Sequence, residues 1–478
     1  MKHSGESMSK VDTAWLRMDS ASNLMAILGV WTLKPGIRHA DLCRRVEERL
    51  LKYDRFRQRV HEDATGARWV DHDIDVRQHV VRERLPRRAD PQAALQERIG
   101  ELAMVPLDRA RPLWQMHLVE DYDGGSALIV RIHHCIADGI ALILVTMSLV
   151  DGGKPPLQRR RRAEAEGSEG WLGENLIGPV AALAARALDA AGEGAAKSLG
   201  LLLEPKQGAQ ASLRLAQLGY QVVSDALSLL LMSDDSRTRL KGKPGTKKRV
   251  AWCPPLPLDE VKEVGKALGC SINDVLLACV AGAIGQYLRE QGDDVEGVEI
   301  RAMVPVNLRP PEQAWKLGNH FGLAPLVLPV GIANPVERVY EVRRRMAALK
   351  DSTQPLLAFA VLAVAGLLVK PAQEALLDLF QRKATAVMTN VPGPRERLQF
   401  LGATLQDCMF WVPQSGDIGL GVSILSYAGG VQFGVISDTL LCPDPQRIID
   451  RFAPEFERLA LITMMLPWPD EALSPRRS

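Results

Sequence analysis

A chain of 478 residues is long enough for two or three ordinary domains, or for one two-lobed enzyme with a sizeable core, which excludes a small scaffold stapled by disulfides or a metal. With 46% apolar and 24% charged residues it reads as globular and is neither disordered, collagen-like nor a coiled coil. Its 59 Lys and Arg against 57 Asp and Glu leave a formal charge of +2, no whole-chain field for nucleic acid, so any anionic partner is met by local patches.

Met1 to Asp12 is polar and carries no apolar signal core. Asp41 to Tyr53 sets Leu42, Val46 and Leu50 on one helical face. Trp114, Met116 and Leu118 alternate with Gln115, His117 and Val119, which predicts a half-buried strand. Asp123-Gly124-Gly125 then turns the chain into a returning strand, Ala127 to Ile132, and Ile140 to Val150 reads as an apolar helix. Residues 154–245, opened by the basic cluster Arg159 to Arg162 and closed by the Pro/Gly/Lys stretch Lys241 to Arg249, read as a helical connector between an N-terminal lobe (1–153) and a C-terminal lobe (246–478). In the second lobe, helices are predicted at Leu258 to Leu268, from Ser271 onward, and at Pro445 to Leu461, with Ser271 and Asp274 as a capping pair. Strands are predicted at Val298 to Val304, Leu323 to Val330, Ala384 to Met388, Gly419 to Leu425 and Gly430 to Ser437. The seven cysteines are scattered with no C-x-x-C, which favours a reducing compartment and no zinc ribbon. The longest clean apolar run, Leu356 to Val369, is 14 residues, short of the roughly 18 a membrane span needs.

Chemistry concentrates at His133-His134-x-x-x-Asp138-Gly139. Adjacent histidines at a strand end point to opposite faces, which argues against a shared metal and leaves one imidazole for a pocket, either as a general base or as a satisfied core residue. Asp138 suits holding the loop by a hydrogen bond or ion pair, and Gly139 suits a tight turn where a side chain would clash. No G-x-S-x-G elbow and no Walker or Rossmann fingerprint is present.

The HHxxxDG segment, Pro112-Leu113-Trp114, Asn273-Asp274-Val275-Leu276-Leu277-Ala278, Leu317-Gly318-Asn319-His320-Phe321-Gly322 and Thr389-Asn390-Val391-Pro392-Gly393-Pro394 together resemble the bacterial wax ester synthase/acyl-CoA:diacylglycerol acyltransferases, within the wider group of HHxxxDG CoA-dependent acyltransferases. The blocks occur in the family's order and span both lobes, whereas the DFGWG element of plant relatives is absent. The resemblance implies a mixed α/β, two-lobed, chloramphenicol acetyltransferase-like fold with the helical connector between lobes. It implies acyl transfer from a fatty acyl-CoA co-substrate to a long-chain alcohol or diacylglycerol, with no other cofactor and no covalent intermediate. His134 would be the base, with His133, Asp138, Gly139 and Asn273 in the catalytic set. Asn273 either polarises the site or only begins its helix. Arg309 would brace Asp138, with Asp274 as further structural support. Pro112, Leu113, Trp114 and Asn390 would contact substrate, as would Ala360, one of the small residues in an apolar run that either lines an acyl tunnel or forms an ordinary buried helix. The basic clusters would rest on a membrane or lipid-droplet surface, bind CoA phosphates, or be plain solvated surface, and the implied location is cytoplasmic, on the inner membrane face or on lipid inclusions. Two rivals stay open: an HHxxxDG acyltransferase with another alcohol or amine acceptor, and a non-catalytic lipid-droplet protein.

Overall fold

The computed structural model describes residues 5–63, 66–86, 88–153, 235–309, 317–350, 354–366, 368, 373–374, 377 and 382–465, with backbone alone at 356, 360, 363 and 364. The first lobe runs β1 (Glu6–Ser7), α1 (Lys10–Arg17), β2 (Ala26–Lys34), α2 (His39–Arg49), β3 (Gln58–Asp63), β4 (Gly66–Asp71), α3 (Val76–His79), β5 (Val80–Glu83), α4 (Pro91–Leu102), β6 (Trp114–Tyr122), β7 (Gly125–His133) and α5 (Gly139–Leu149). The second runs β8 (Lys248–Trp252), β9 (Leu256–Pro257), α6 (Leu258–Ala267), α7 (Ile272–Glu290), β10 (Ile300–Asn307), β11 (Phe321–Leu328), α8 (Pro335–Lys350) and α9 (Gln354–Ala365). It closes with β12 (Ala386–Pro392), β13 (Gln399–Phe400), β14 (Ala403–Trp411), β15 (Leu420–Tyr427), β16 (Gly430–Asp438) and α10 (Gln446–Met465).

A six-stranded sheet in the order β13-β14-β2-β7-β6-β5 forms the first lobe and a seven-stranded sheet built on β11-β10-β12-β15-β16-β8 forms the second, with a small β1-β4-β3 sheet at the side. The predicted hairpin is present: Asp123 and Gly124 both take positive φ (47° and 72°), the backbone a tight two-residue turn requires. The β6 alternation is less clean than expected, because His117 and Val119 are buried as well as Trp114, Met116 and Leu118. Both faces of this sheet are covered. One packs Trp114, Met116 and Leu118 into the lobe's own core, and the other packs Val119, Ala127 and Ile129 against Val250, Trp252, Met409 and Trp411 of the second half.

The division of the chain is corrected at two places. β14 leaves the second lobe and pairs antiparallel with β2, setting Trp411 opposite Leu28 and Cys408 opposite Trp31. The second lobe also begins earlier than 246, since the Asp235 carboxylate accepts the Arg301 backbone N–H at 2.9 Å and the Thr385 hydroxyl at 2.6 Å. The rest of the expected helical connector, 154–234 with its Arg159 to Arg162 cluster, lies outside the described residues. Within Lys241 to Arg249, Lys248 is buried in an ion pair with Asp438 at 3.3 Å, while Lys243, Lys247 and Arg249 are exposed, Arg249 donating to the Pro443 carbonyl at 3.0 Å. Among the described residues no single helix is long and apolar enough to cross a membrane.

Candidate active site

β7 ends at His133, and the motif loop leaves it into the cleft between lobes. The loop is pinned from the far side: Gly318 N–H donates to Ile136 O at 3.1 Å, and Ala137 forms a bridge with Gly318. Gly318 takes φ +105°, open to glycine alone at little cost. Asp138 caps α5, its Oδ1 accepting the Ala141 N–H at 3.0 Å, while its Oδ2 accepts the Arg309 guanidinium at 2.7 Å and the His320 N–H at 3.2 Å. Arg309 also donates to the Gly318 carbonyl at 2.6 Å, so this buried pair ties the loop to the second lobe.

The two histidines diverge. His133 Nδ1 accepts the Cys135 N–H at 3.2 Å, which leaves Nε2–H to donate toward Asp19 Oδ2 at 3.4 Å, away from the cleft. Burial opposes charge on Asp19, but hydrogen bonds and charge from His133, the Met25 N–H and Arg109 outweigh it and hold the carboxyl below its usual range. His134 faces a cavity of about 560 Å³, its ring stacked on Trp15 at 4.3 Å. The Asn319 amide Nδ2 donates at 2.7 Å both to Asp12 Oδ1 and to the His134 carbonyl. Its Oδ1 is therefore the acceptor left for His134 Nδ1–H, at 2.9 Å. That fixes the tautomer and leaves the Nε2 lone pair free. Burial pushes the His134 pKa down to about 4, so the ring is neutral at physiological pH, and burial pushes Asp12 up to about 6 against the hydrogen bonds from Asn319 and Ser9.

Trp15, Ile27, Ile143, Phe321, Leu323 and Leu362 supply apolar wall, and Thr389 and Asn390 supply polar groups. Several expected residues stand elsewhere. Trp114 is core: its Nε1–H donates to Phe56 O at 2.9 Å and its ring stacks on His79, because the strand pleat turns it toward the lobe's own helices. Pro112 is buried beside it, and Leu113 supplies the carbonyl that accepts His133 N–H at 2.9 Å, so this trio supports the strand and does not line the histidine cavity. Gly139 avoids no clash, since an added Cβ would meet nothing within 4 Å; the glycine borders open cavity at the start of α5. Asn273 does not line the histidine cavity. It is exposed on the first turn of α7, where its Oδ1 accepts the Asn390 Nδ2–H at 2.6 Å. Asp274 completes the expected capping box with Ser271. Ala360 lies on α9 but its side chain is outside the described residues, while its neighbours Ala358, Val361 and Leu362 line the cavity. Asn319, Asp12, Trp15 and Asp19 are additions. Only Asn319 had a sequence signal, its place in the Leu317 to Gly322 block.

The model of the wax ester synthase/diacylglycerol acyltransferase catalytic domain matches residues 8–276, more than half of the chain, and that of the C-terminal domain matches residues 317–460. The chain belongs to the wax ester synthase/diacylglycerol acyltransferase family. As a member of that family it is an acyl-CoA-dependent O-acyltransferase. Among its relatives, a probable diacylglycerol O-acyltransferase of Mycobacterium tuberculosis is 28% identical over 428 residues, 87% of each chain. A putative diacylglycerol O-acyltransferase of Mycobacterium bovis is 27% identical over 92% of this chain and 95% of its own. The fold is similar to the wax ester synthase/diacylglycerol acyltransferase of Marinobacter aquaeolei VT8, with a TM-score of 0.64 at 20% identity over 96% of this chain and 100% of that one. It is also similar to the first condensation domain of the calcium-dependent antibiotic synthetase, with a TM-score of 0.57 at 15% identity over 96% of each. Both likenesses bear out the two-lobed fold of the wider group.

Proposed function

We propose that the enzyme transfers a fatty acyl group from acyl-CoA to a long-chain alcohol or diacylglycerol, with His134 as general base. The observation that carries this is the bare Nε2 of a neutral imidazole facing an apolar cavity large enough for alkyl chains. Nε2 takes the hydroxyl proton as the alcohol oxygen attacks the thioester carbonyl. A donor on the cavity wall, Thr389 Oγ1, stabilises the oxyanion. Its collapse breaks the carbon–sulfur bond, and the sulfur leaves with the proton from Nε2–H as free CoA thiol. Asn319 and Asp12 are positioning residues: they hold the ring and stabilise the imidazolium that forms in between.

The cavity also borders a lipid-friendly surface. Ile140 and Leu144, one turn apart on α5, are 40% and 41% exposed and belong to its lining. This supports peripheral docking on the inner membrane face or on a lipid inclusion, through which long-chain acceptors enter. The deciding assay is release of CoA thiol from palmitoyl-CoA, dependent on added hexadecanol or dipalmitoylglycerol, with ester formation followed by chromatography. Acceptor-independent release, or transfer only to short amines, overturns the reading.

A further inference from the structure

Asp12 and Trp15 lie three residues apart on α1, so both belong to one helical face. Asn319 and Phe321 lie two apart where the chain enters β11, a spacing that returns side chains to one face of extended chain. The two elements meet around a single side chain, His134, and each gives it one polar contact and one ring. Asn319 takes the imidazole Nδ1–H, with Asp12 one hydrogen bond further out. Trp15 lies nearly parallel to the imidazole, with 4.3 Å between ring centroids and an interplanar angle of 13°. Phe321 closes on both, tilted, at 5.5 Å from the imidazole and 5.6 Å from the indole. All three rings are buried.

We propose that Trp15 is a positioning residue whose indole face holds the His134 ring in plane and stabilises the positive charge that ring carries between taking the hydroxyl proton and handing it to the departing sulfur. The inference rests on His134 as the general base. That charge needs a partner, because the imidazole's own acceptor is a neutral amide oxygen rather than a carboxylate, and burial opposes charge on the ring. The face of an aromatic ring is negative, and among aromatic side chains indole attracts a cation most strongly, above all where water is excluded. A parallel stack spreads the delocalised imidazolium charge over that face. It also leaves both ring nitrogens in use, Nδ1 for Asn319 and Nε2 for the proton in transit. Trp15 Nε1–H is buried without a hydrogen-bond partner among the described residues, a cost that Phe would avoid, so the indole gains nothing here from hydrogen bonding and acts through its faces. Trp114 is the contrast: it stacks on His79 at 4.4 Å, away from the cavity, and its Nε1–H is satisfied by Phe56 O.

The test replaces Trp15 in the full-length protein by mono-, di-, tri- and tetrafluorotryptophan through site-specific incorporation, since ring fluorine withdraws electrons from the face and adds little volume. The single-turnover rate of CoA thiol release from palmitoyl-CoA, with hexadecanol or dipalmitoylglycerol as acceptor, should fall with each fluorine, about tenfold over the series. KM for palmitoyl-CoA and the melting temperature should stay near wild type. Trp15→Phe, a weaker face in the same place, should fall within that range, and tetrafluorotryptophan at Trp114 should leave the rate unchanged. A flat series overturns the proposal and leaves Trp15 as cavity wall. A rising rate overturns it too, because fluorine makes the indole N–H a better donor and the rise would reveal a hydrogen bond to substrate. So does a fall that tracks the melting temperature. If the tetrafluoro protein does not fold, the mono- and difluoro members still give the slope. Undiminished turnover in His134→Ala would instead overturn the general-base reading itself.

Discussion

At His134, substitution by Ala removes the Nε2 acceptor but keeps the backbone N–H that donates to Met25 O at 2.7 Å, so the loop keeps its place. Turnover should fall by about 10² to 10⁴ with the melting temperature near wild type. His133→Ala removes a ring that faces away from the cleft, bonded to Asp19 and to the Cys135 N–H; Asp19 retains the Met25 N–H, so activity should drop far less. Equal, complete loss in both variants would mean that both rings serve the reaction. Asp12 gives a sharper test through pH. Its folded pKa is raised, so the stabilisation linked to its proton is fully present below the unfolded value of 3.8 and is lost as pH rises through about 6. Above that pH the fold carries a buried carboxylate at a cost of roughly 3 kcal/mol. Asp12→Asn keeps an oxygen for Asn319 and removes the charge. Relative to wild type its melting temperature should therefore rise between about pH 4 and pH 6 and level off above that, while kcat falls for want of a counter-charge to the imidazolium. A melting difference that ignores pH would contradict the raised pKa, and an unchanged kcat would leave Asp12 with packing alone.

At the scale of elements, α5 and α9 carry the two remaining wall functions. Asp138→Asn leaves the cap acceptor for Ala141 in place but breaks a buried pair with Arg309, and such a loss costs roughly 3 to 5 kcal/mol. Differential scanning fluorimetry should show a marked drop in melting temperature; an unchanged value with turnover abolished would assign Asp138 to the chemistry instead. On α9, Ala358 lines the cavity, so Ala358→Ile adds volume to the wall against which the proposed acyl or alkyl chain would lie. One methylene fitted or excluded is worth about 1 to 3 kcal/mol, so the preference should move toward shorter acyl chains or alcohols. A uniform loss over all chain lengths with a lower melting temperature would mark that position as packing. The sequence made these elements legible where pattern and local chemistry coincide: the β6–β7 turn, the Ser271 cap and the strands β10, β11, β12, β15 and β16 appear close to their expected bounds, whereas β8, β9, β13 and β14 had no expected counterpart. It did not show β2, whose apolar and polar residues follow no clean period because α-helical packing covers one face and the other half of the chain covers the second. Nor could it show that Trp114 points into the core or that Asn273 stands outside the cavity, since both depend on which face of an element meets the opposite lobe.

For the molecule as a whole, the catalytic cleft depends on two joins between halves that sequence composition marks as separate. One is the loop pinned by Gly318 and Arg309; the other is β14, which completes the first lobe's sheet by pairing with β2. The register is set by side chains as well as backbone, because Asp407 N–H donates to Thr32 Oγ1 at 3.1 Å where the ladder shifts between Leu405 and Asp407. Behind it, Leu28, Val30 and Ile129 pack with Met409, Trp411 and Trp252 in a core that belongs to both lobes. Such an arrangement predicts that the halves do not behave as independent domains. Residues 1–153 expressed alone would leave β2 as a bare edge over an uncovered apolar face, an invitation to aggregate. A chain cut once at a protease site inserted between residues 154 and 234 should instead stay together, because the exchanged strand and the shared core are untouched. The two fragments should co-elute in size exclusion at low salt and high salt alike, as expected for an apolar join that is weakly screened, and should retain acyl transfer. If the cut fragments separate under native conditions while each remains soluble and folded, the exchanged strand is not what holds the cleft, and the lobes are domains in the ordinary sense.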